Sequence, residues 1–465
     1  MSLSREFAAF VAGLTYEDLP EAVVDRAKGV ALQALSSALV AHDSAAARQA
    51  LALMQDEEAG AGGRATVLCR GAKLTKSSAA FVNAETIFAG GKWDTFRMLT
   101  HPGTAILPAA LAAAEATGAS GKAFLAGVAS GYEVMERMAS EFIPSVMARG
   151  FHAGPVFAIF GAAVAAAKIE GFDAQQVHDA IAQCVNLAAG NLEGIRSGGR
   201  SLREGGAVRN ALLAVALARH GTQGGETVLE GEAGFYHAYA GNNRGDLGYS
   251  FTGDNHADLA RITQGLGRDW LFLETLYRIY STAGYNIAHV DVTAALCREH
   301  NVTYDQIERI EAVVNWLETE YPSPAFPIAS RGLGAPASVG STPYFTAYGA
   351  VTGGYPLLRG DRPGPGEDDP PEVLDLMRRV RLIPAARQTL FGPRITIFTK
   401  DGRSYTREGT GREFIWDFDE EARRIRAVAP GLAIGGAQFD RLIDSCRRLD
   451  TLDRADALIG LTIPM

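Results

Sequence analysis

Apolar residues recur at helical spacing through the first half of the chain. Residues 4–13 and 20–41 read as amphipathic helices, and Val23, Ala27, Val30, Ala31 and Ala34 fall on one face of the second. The same pattern predicts helices over 77–88, 104–117, 120–139, 154–170, 173–190 and 205–219. Ala and Gly dominate their faces, so the helices can approach closely while losing little side-chain entropy. The segment EEAGAGGRATVLCRG reads as a Gly-rich loop followed by a short apolar, strand-like run. Up to about residue 265, alternation of period two is almost absent, which marks a helical domain.

The pattern changes after about residue 270. One more helix is expected over 289–300, and IERIEAVVNW (307–316) alternates as a strand does. Residues 321–343, rich in Pro, Gly and Ser, read as loop, and 344–353 as helix. A turn-rich surface connection over 359–372 leads to a helix at 372–377 and then to VRLIP. Residues 394–408 predict a hairpin on a Lys-Asp-Gly turn. Beyond about residue 415 helical spacing returns. The expected fold class is mainly α: a large all-helical domain over 1–268, a smaller α+β domain over 269–410, and a C-terminal helical segment over 411–465.

Composition narrows the function. The 465 residues are 47% hydrophobic and 21% charged, an ordinary globular balance. A formal net charge of −9 argues against a nucleic-acid partner, whose phosphates want a basic face. Cys69, Cys184, Cys297 and Cys446 are scattered beside apolar segments without metal-ligand spacing, which points to reduced, buried thiols. The N-terminal stretch carries acids and no basic region before a long apolar core, unlike a signal peptide. The Ala-rich run 156–167 is too short to span a bilayer. A cytoplasmic protein without membrane contact is expected.

No P-loop, no strand-to-helix Gly fingerprint, no HExxH and no Cys/His cluster occurs, so metal, nucleotide and flavin chemistry lack a motif. The remaining candidates are polar residues on Gly-punctuated loops. Lys92, Asp94, Thr95 and His101 lie on the loop that feeds the helix at 104–117, with Thr104 placed to cap it and Pro108 in its first turn. A helix N-terminus suits an anionic ligand, so this is a plausible way to hold a carboxylate. The competing reading is a capping or loop histidine. His152, in ARGFHAGP, also immediately precedes a helix. Arg196, Arg200, Arg203 and Arg209 surround glycines before the helix at 205–219, where they could clamp a carboxylate or merely face solvent. Tyr321, in ETEYPSPAFP, has by itself only a packing reading.

Several of these blocks stand together in a known order. THPGTAILPAALAAAE, GFHAGPVFAIFGAAVAAAKIEGFDAQQ, GAVRNALLAVALARHGTQGGETVLEGEAGF and DGRSYT resemble successive segments of the MmgE/PrpD family, across essentially the whole chain. That family includes 2-methylcitrate dehydratase, cis-aconitate decarboxylase and iminodisuccinate epimerase. The resemblance implies a large helical domain closed by the C-terminal segment, with an α+β lid inserted before it. It also implies a homodimer, no metal and no organic cofactor. Carried onto this chain, the family site falls on His101 and His152, with Thr95 and Tyr321 beside them.

Three departures from the family pattern bear on chemistry. Where an acid-rich H-x-x-D-x-D-D-T segment is common, this chain has FAGGKWDT, so Phe88, Gly91 and Trp93 replace a histidine and two aspartates. Arg200 stands for the family lysine, which keeps the charge and loses an acid–base group. Ile287 stands where a histidine is usual, with His289 two residues on. The activity implied is a lyase that moves a proton at a carbon alpha to a carboxylate of a small polycarboxylate, with His101, His152 and Tyr321 in catalysis and Asp94, Thr95, Arg200 and Lys92 on the substrate. Dehydration comes first, decarboxylation or epimerisation on the same site is the alternative, and a non-catalytic metabolite binder is the contrasting class.

Overall fold

A computed structural model describes residues 1–59, 62–91, 94–98, 100–196, 202–278, 284–319, 337–356, 366, 368–428 and 432–464. Helix dominates, with one two-stranded and one four-stranded sheet, which is the mainly α class expected. The chain divides into two compact units. The first comprises Met1–Gly248, Asn255–Ile279 and Asp417–Met465, the second Tyr249–Asp254 and Tyr280–Trp416.

The first unit opens with α1 (Leu3–Gly13), α2 (Glu21–Ala41) and α3 (Ala45–Glu57). The third is a helix that the apolar pattern did not reveal, since only Ala47, Ala50 and Met54 are buried on it. Ser44 caps it by accepting the Ala47 N–H at 3.2 Å. The strand-like run after the Gly-rich loop is a minimal ladder, β1 (Ala65–Thr66) against β2 (Lys73–Leu74). Then follow α4 (Lys76–Gly90), α5 (Gly103–Thr117), α6 (Gly121–Ala139), α7 (Ile143–Ala148), α8 (Ala153–Ile169), α9 (Ala174–Leu187), α10 (Leu202–Arg219) and α11 (Phe235–Ala240). Gly91 and Gly118 end α4 and α5 in the left-handed conformation, each at φ 68°.

Helix α8 is the hub, buried on every side and packed by α5, α6, α9 and α10. A helix apolar all round is what such a position requires. Phe157 and Phe160 are fully buried, each contributing about 1.5–3 kcal/mol by removal from water. At the α6–α8 crossing, a Cβ on Gly131 would lie 2.6 Å from the Gly161 carbonyl oxygen, and one on Gly161 would lie 2.8 Å from that of Gly131. The two backbones touch, which is the packing that the small-residue faces permit.

The division between units falls later in the chain than the 268/269 break read from composition. The segment after residue 258 belongs to the first unit because α6 binds it. Glu133 accepts the Phe272 N–H at 3.0 Å, Glu136 accepts the Thr275 hydroxyl at 2.5 Å, and Arg137 donates to the Ile262 and Gln264 carbonyls at 3.1 and 2.5 Å.

The second unit is α+β. Its elements are α12 (Tyr285–His300), β3 (Ile307–Asn315), α13 (Trp316–Thr319), α14 (Ala337–Thr352), α15 (Pro371–Leu376), β4 (Val380–Ala385), β5 (Arg394–Thr399) and β6 (Ser404–Glu408). Residues 337–343, read as loop from their Gly and Ser content, are therefore helical, with Pro343 inside α14. The strand order is β4-β3-β5-β6. Strand β3 runs parallel to β4 and antiparallel to β5, pairing Ile310 with both Val380 and Ile397. A register shift between Ile307 and Arg309 changes the parity of the inward face, so Ile307 is buried and then Ile310, Ala312 and Val314. Val290, Leu296, Phe345 and Ile395 complete this unit's core.

The tail returns to the first unit, as the expected fold class has it. Helices α16 (Phe418–Val428) and α17 (Gly436–Arg447) pack on α2, and α18 (Ala457–Gly460) follows. Asp25 of α2 accepts the Phe418 N–H at 3.0 Å. No helix among the described residues is long and apolar enough to cross a membrane.

Candidate active site

The loop before α5 is closed on itself and pinned from outside. Thr95 and Leu276 exchange both main-chain hydrogen bonds at 2.8 Å. The Phe96 N–H donates to the Thr100 carbonyl at 3.3 Å, and the Thr100 hydroxyl donates back to the Phe96 carbonyl. Arg97 takes a left-handed conformation at φ 51° and pairs with Glu274 at 2.5 Å.

This loop orients His101, which is 7% exposed. Its Nδ1 lies 3.0 Å from the Asp94 carbonyl oxygen and 3.3 Å from Thr95 Oγ1. A carbonyl only accepts, so Nδ1 carries the hydrogen, and Nε2 is the basic nitrogen of the neutral ring.

Asp94 turns away from that role. Its carboxylate accepts the Gly103 N–H through both oxygens at 3.0 Å and the Tyr132 hydroxyl as well. It thus supplies the anion at the start of α5, which begins after Pro102. Thr104, expected as the cap, instead donates to the His101 carbonyl at 2.6 Å, and Pro108 falls beyond the first turn. Burial pushes the Asp94 carboxyl up to about 6, against the Tyr132 hydroxyl and the Gly103 N–H, which favour the ionised form.

His152 is the residue before α8 and is 3% exposed. Its N–H donates to the Gly190 carbonyl at 3.0 Å, and the Leu192 N–H donates to the Gly150 carbonyl at 2.8 Å. Gly190 sits at φ 141°, and a Cβ there would come within 2.6 Å of Pro155 Cγ, so only glycine lets this segment lie against the start of α8.

Glu204, in the first turn of α10 and 1% exposed, joins the two histidine regions. Thr104 Oγ1, whose hydrogen goes to the His101 carbonyl, lies 3.4 Å from its Oε2. A Cβ on Gly154 would lie 3.0 Å from both Cε1 and Nδ1 of His152 and 3.1 Å from Glu204 Oε1. The starts of α5, α8 and α10 therefore converge on one small volume. Two are already supplied with carboxylates: Asp94 accepts from Gly103 of α5, and buried Glu85 of α4 accepts from Gly205 of α10 at 2.9 Å. At α8, the N–H groups of Ala153 and Gly154 have no hydrogen-bond acceptor among the described residues.

Of the residues read as a site from sequence, the structure brings His101, Thr95, Asp94 and His152 into the first unit. Lys92, Arg200 and Tyr321 lie outside the described residues, and Arg209 is exposed. His289 belongs to the second unit, buried with Nδ1 3.0 Å from Thr346 Oγ1 and Nε2 3.6 Å from Glu318. Sequence reading missed Tyr132, Glu85 and Glu204. Only Glu204 left a trace, an acid followed by two glycines at the start of a helix, in a segment read for its arginines. Among the described residues no group of three or more His, Cys, Asp or Glu side chains could hold a metal ion.

Comparison with known proteins gives a consistent picture. The family model for the MmgE/PrpD N-terminal domain matches residues 5–247. Human cis-aconitate decarboxylase is 29% identical over 250 residues, covering 51% of this chain and 50% of the human protein. The mouse cis-aconitate decarboxylase is 26% identical over 429 residues, 87% of this chain and 81% of its own length. That of Aspergillus terreus is 27% identical over 294 residues, 61% and 57%. The matched region thus spans about half the length of the human relative. These relatives are lyase-type enzymes, and with the domain match over residues 5–247 the chain belongs to the MmgE/PrpD family.

Proposed function

We propose that the protein is a cofactor-independent lyase acting on a small polycarboxylate through proton transfer at a carbon alpha to a carboxylate. What supports this reading is that His101 and His152 are both buried at helix starts, beside α5 and α8, and that the start of α8 leaves the Ala153 and Gly154 N–H groups without an acceptor among the described residues. A substrate carboxylate accepts from Ala153 and Gly154 at the start of α8, where the helix dipole favours an anion. The negative charge that develops on the substrate is stabilised by fixed dipoles in a site from which water is largely removed. His101 Nε2 gives or takes the proton, and His152 serves the opposite face. Arg200, Lys92 and Tyr321 keep the substrate-contacting and proton-donating roles that the family resemblance implies, as does the homodimer.

Sequence alone favoured loss of water. The names of the matched relatives favour loss of carbon dioxide. In that step the bond from the alpha carbon to one carboxylate breaks, the electron pair stays on carbon, carbon dioxide leaves, and His101 as imidazolium protonates the carbanion.

The test is a proton NMR time course in D₂O with di- and tricarboxylates and their hydroxy and unsaturated derivatives, beside His101→Ala. Deuterium entering the alpha carbon, with a 10²–10⁴-fold loss in the variant, is expected, as for a missing general acid–base group. Equal exchange by both proteins overturns the assignment. The product formed separates decarboxylation from dehydration and epimerisation.

A further inference from the structure

One buried face of α2 has no part in the steps above. Arg26, Gly29 and Gln33 follow at intervals of three and four residues, so they line one side of the helix. All three meet the buried segment 275–278. Arg26 Nη1 donates to the Thr275 carbonyl at 2.6 Å, and Gln33 Nε2 donates to the Arg278 carbonyl. Between them Gly29 leaves room for the Tyr277 hydroxyl, which a Cβ there would overlap. The lengths match, since seven residues of helix rise about 10.5 Å and three residues of extended chain span about 10 Å. The Arg26 guanidinium also lies over the Tyr277 ring, 4.7 Å from its centroid. Glu136 of α6 adds a hold by accepting the Thr275 hydroxyl at 2.5 Å. Leu276, inside this grip, gives both main-chain groups to Thr95 at 2.8 Å. Thr95 and the residue before it are what hold His101, whose Nδ1 lies 3.0 Å from the Asp94 carbonyl oxygen and 3.3 Å from Thr95 Oγ1.

We propose that Arg26 and Gln33 are positioning residues of the reaction: they hold the segment 275–278 as a strut that sets the place of His101. The inference rests on the reading of His101 as the acid–base group. Contacts run unbroken from α2 through Thr275 and Leu276 to Thr95 and the imidazole. Two residues that exchange both main-chain bonds share their position, so a shift of Leu276 carries Thr95 and the acceptors of Nδ1 with it. Removing the Arg26 donor takes a hydrogen bond from the buried Thr275 carbonyl, which favours such a shift. Proton transfer is sensitive to it, since a misplacement of about 1 Å from a distant mutation can cost about a hundredfold in rate.

The test uses the full chain and three variants. Arg26→Met keeps a long stem over Tyr277 and removes the donor, Gln33→Met removes the donor at the other end, and Arg26→Lys restores one. Amide hydrogen exchange read by mass spectrometry, on the protein without ligand, reports the loop. Kinetics on the di- and tricarboxylates of the D₂O experiment report the chemistry. In both Met variants, peptides covering residues 94–101 should exchange about tenfold faster, while those of α8 and α9 keep their wild-type rates. The kcat should fall about tenfold with KM within about twofold, and Arg26→Lys should recover part of both losses. Wild-type exchange in residues 94–101, faster exchange throughout the first unit, an unchanged kcat, an effect confined to KM, no recovery by Arg26→Lys, or loss of fold in both Met variants overturns the inference. A loosened loop in the Met variants, beside a wild type inert toward every carboxylate, leaves the strut standing and sinks the lyase reading instead.

Discussion

The Nδ1 of His101 lies 3.0 Å from the main-chain oxygen of Asp94, while the Asp94 carboxylate caps the helix that starts two residues beyond the histidine. One residue thus fixes both the ring and the helix on which the ring's loop ends. On our reading Asp94 acts through His101 and touches no substrate. Asp94→Asn keeps an acceptor for Gly103 and loses the charge; it should lower kcat about tenfold, and Asp94→Ala about a hundredfold, within the range for a misplaced acid–base group. KM should change less than kcat in both. Steady-state kinetics separates the cases, since a raised KM at constant kcat would mean direct substrate contact.

The same carboxyl gives a pH signature in stability. Its value is raised from 3.8 to about 6 by burial, so between these values the folded protein holds a proton that the unfolded chain has released. Stability from this group is therefore full below about pH 4, falls as pH rises through about 6, and stays lower above. The loss is on the order of 3 kcal/mol, at about 1.4 kcal/mol per unit. Glu136 and Glu421, also pushed up by burial, act in the same direction, so the wild-type curve alone does not isolate Asp94. The difference between wild type and Asp94→Asn does. It should shrink in the wild type's disfavour between pH 4 and pH 7 when unfolding is followed by denaturant titration, and a flat difference refutes the assignment.

Gly154 is the smallest target with the most direct effect on the candidate site. A methyl group there meets the His152 ring at 3.0 Å and Glu204 at 3.1 Å, and at least one of them has to move. Gly154→Ala should retain its fold, since alanine is a better helix former than glycine by about 1 kcal/mol. Its kcat/KM should fall at least tenfold, because small displacements of acid–base groups are costly. Circular dichroism and kinetics on the same preparation check both halves, and an unchanged rate would place the chemistry away from His152.

Much of the fold was legible because its signals are local. Helices α2, α4 to α6, α8 and α9 carry their spacing within themselves, α6 and α9 also carry their caps in Ser120 and Asp173, and Arg394 to Glu408 carries its own turn. Helix α3 hid because one thin stripe of Ala47, Ala50 and Met54 buries it. The start of α14 hid because Gly and Ser there mimic a loop. Within the candidate site, His101 and His152 stood out as rare residues before helices. The partners that orient them did not, because Asp94 reaches Tyr132 across 38 residues and Thr104 reaches Glu204 across 100. Such pairs form only when helices pack, and no spacing rule announces them. Asp94 shows the cost of reading one level too early: an acid on a loop suggests a ligand, and packing gives it a helix to cap.

The return of the tail to the first unit supplies the last prediction. The Gly121 N–H at the start of α6 donates to the Leu452 carbonyl at 2.8 Å, and the Ala455 N–H donates to the Ala119 carbonyl at 2.9 Å. A Cβ on Gly121 would fall 1.5 Å from the Leu449 carbonyl oxygen, a backbone atom that no rotamer change can withdraw. Gly121→Ala must therefore displace the tail from α6 or shift the helix, and α6 carries Tyr132 beneath Asp94 and the Glu133, Glu136 and Arg137 set that binds residues 262–275. Overpacking of this kind costs about 1–3 kcal/mol and more where backbone is met. Gly13→Ala, at the end of α1 with no atom within 4 Å, is the matched control and should stay within about 0.5 kcal/mol of wild type. Thermal unfolding of the three proteins decides. Gly121→Ala should melt several degrees lower and lose activity in step with its fold, whereas equal melting temperatures would mean that the tail and α6 are not locked together at this point.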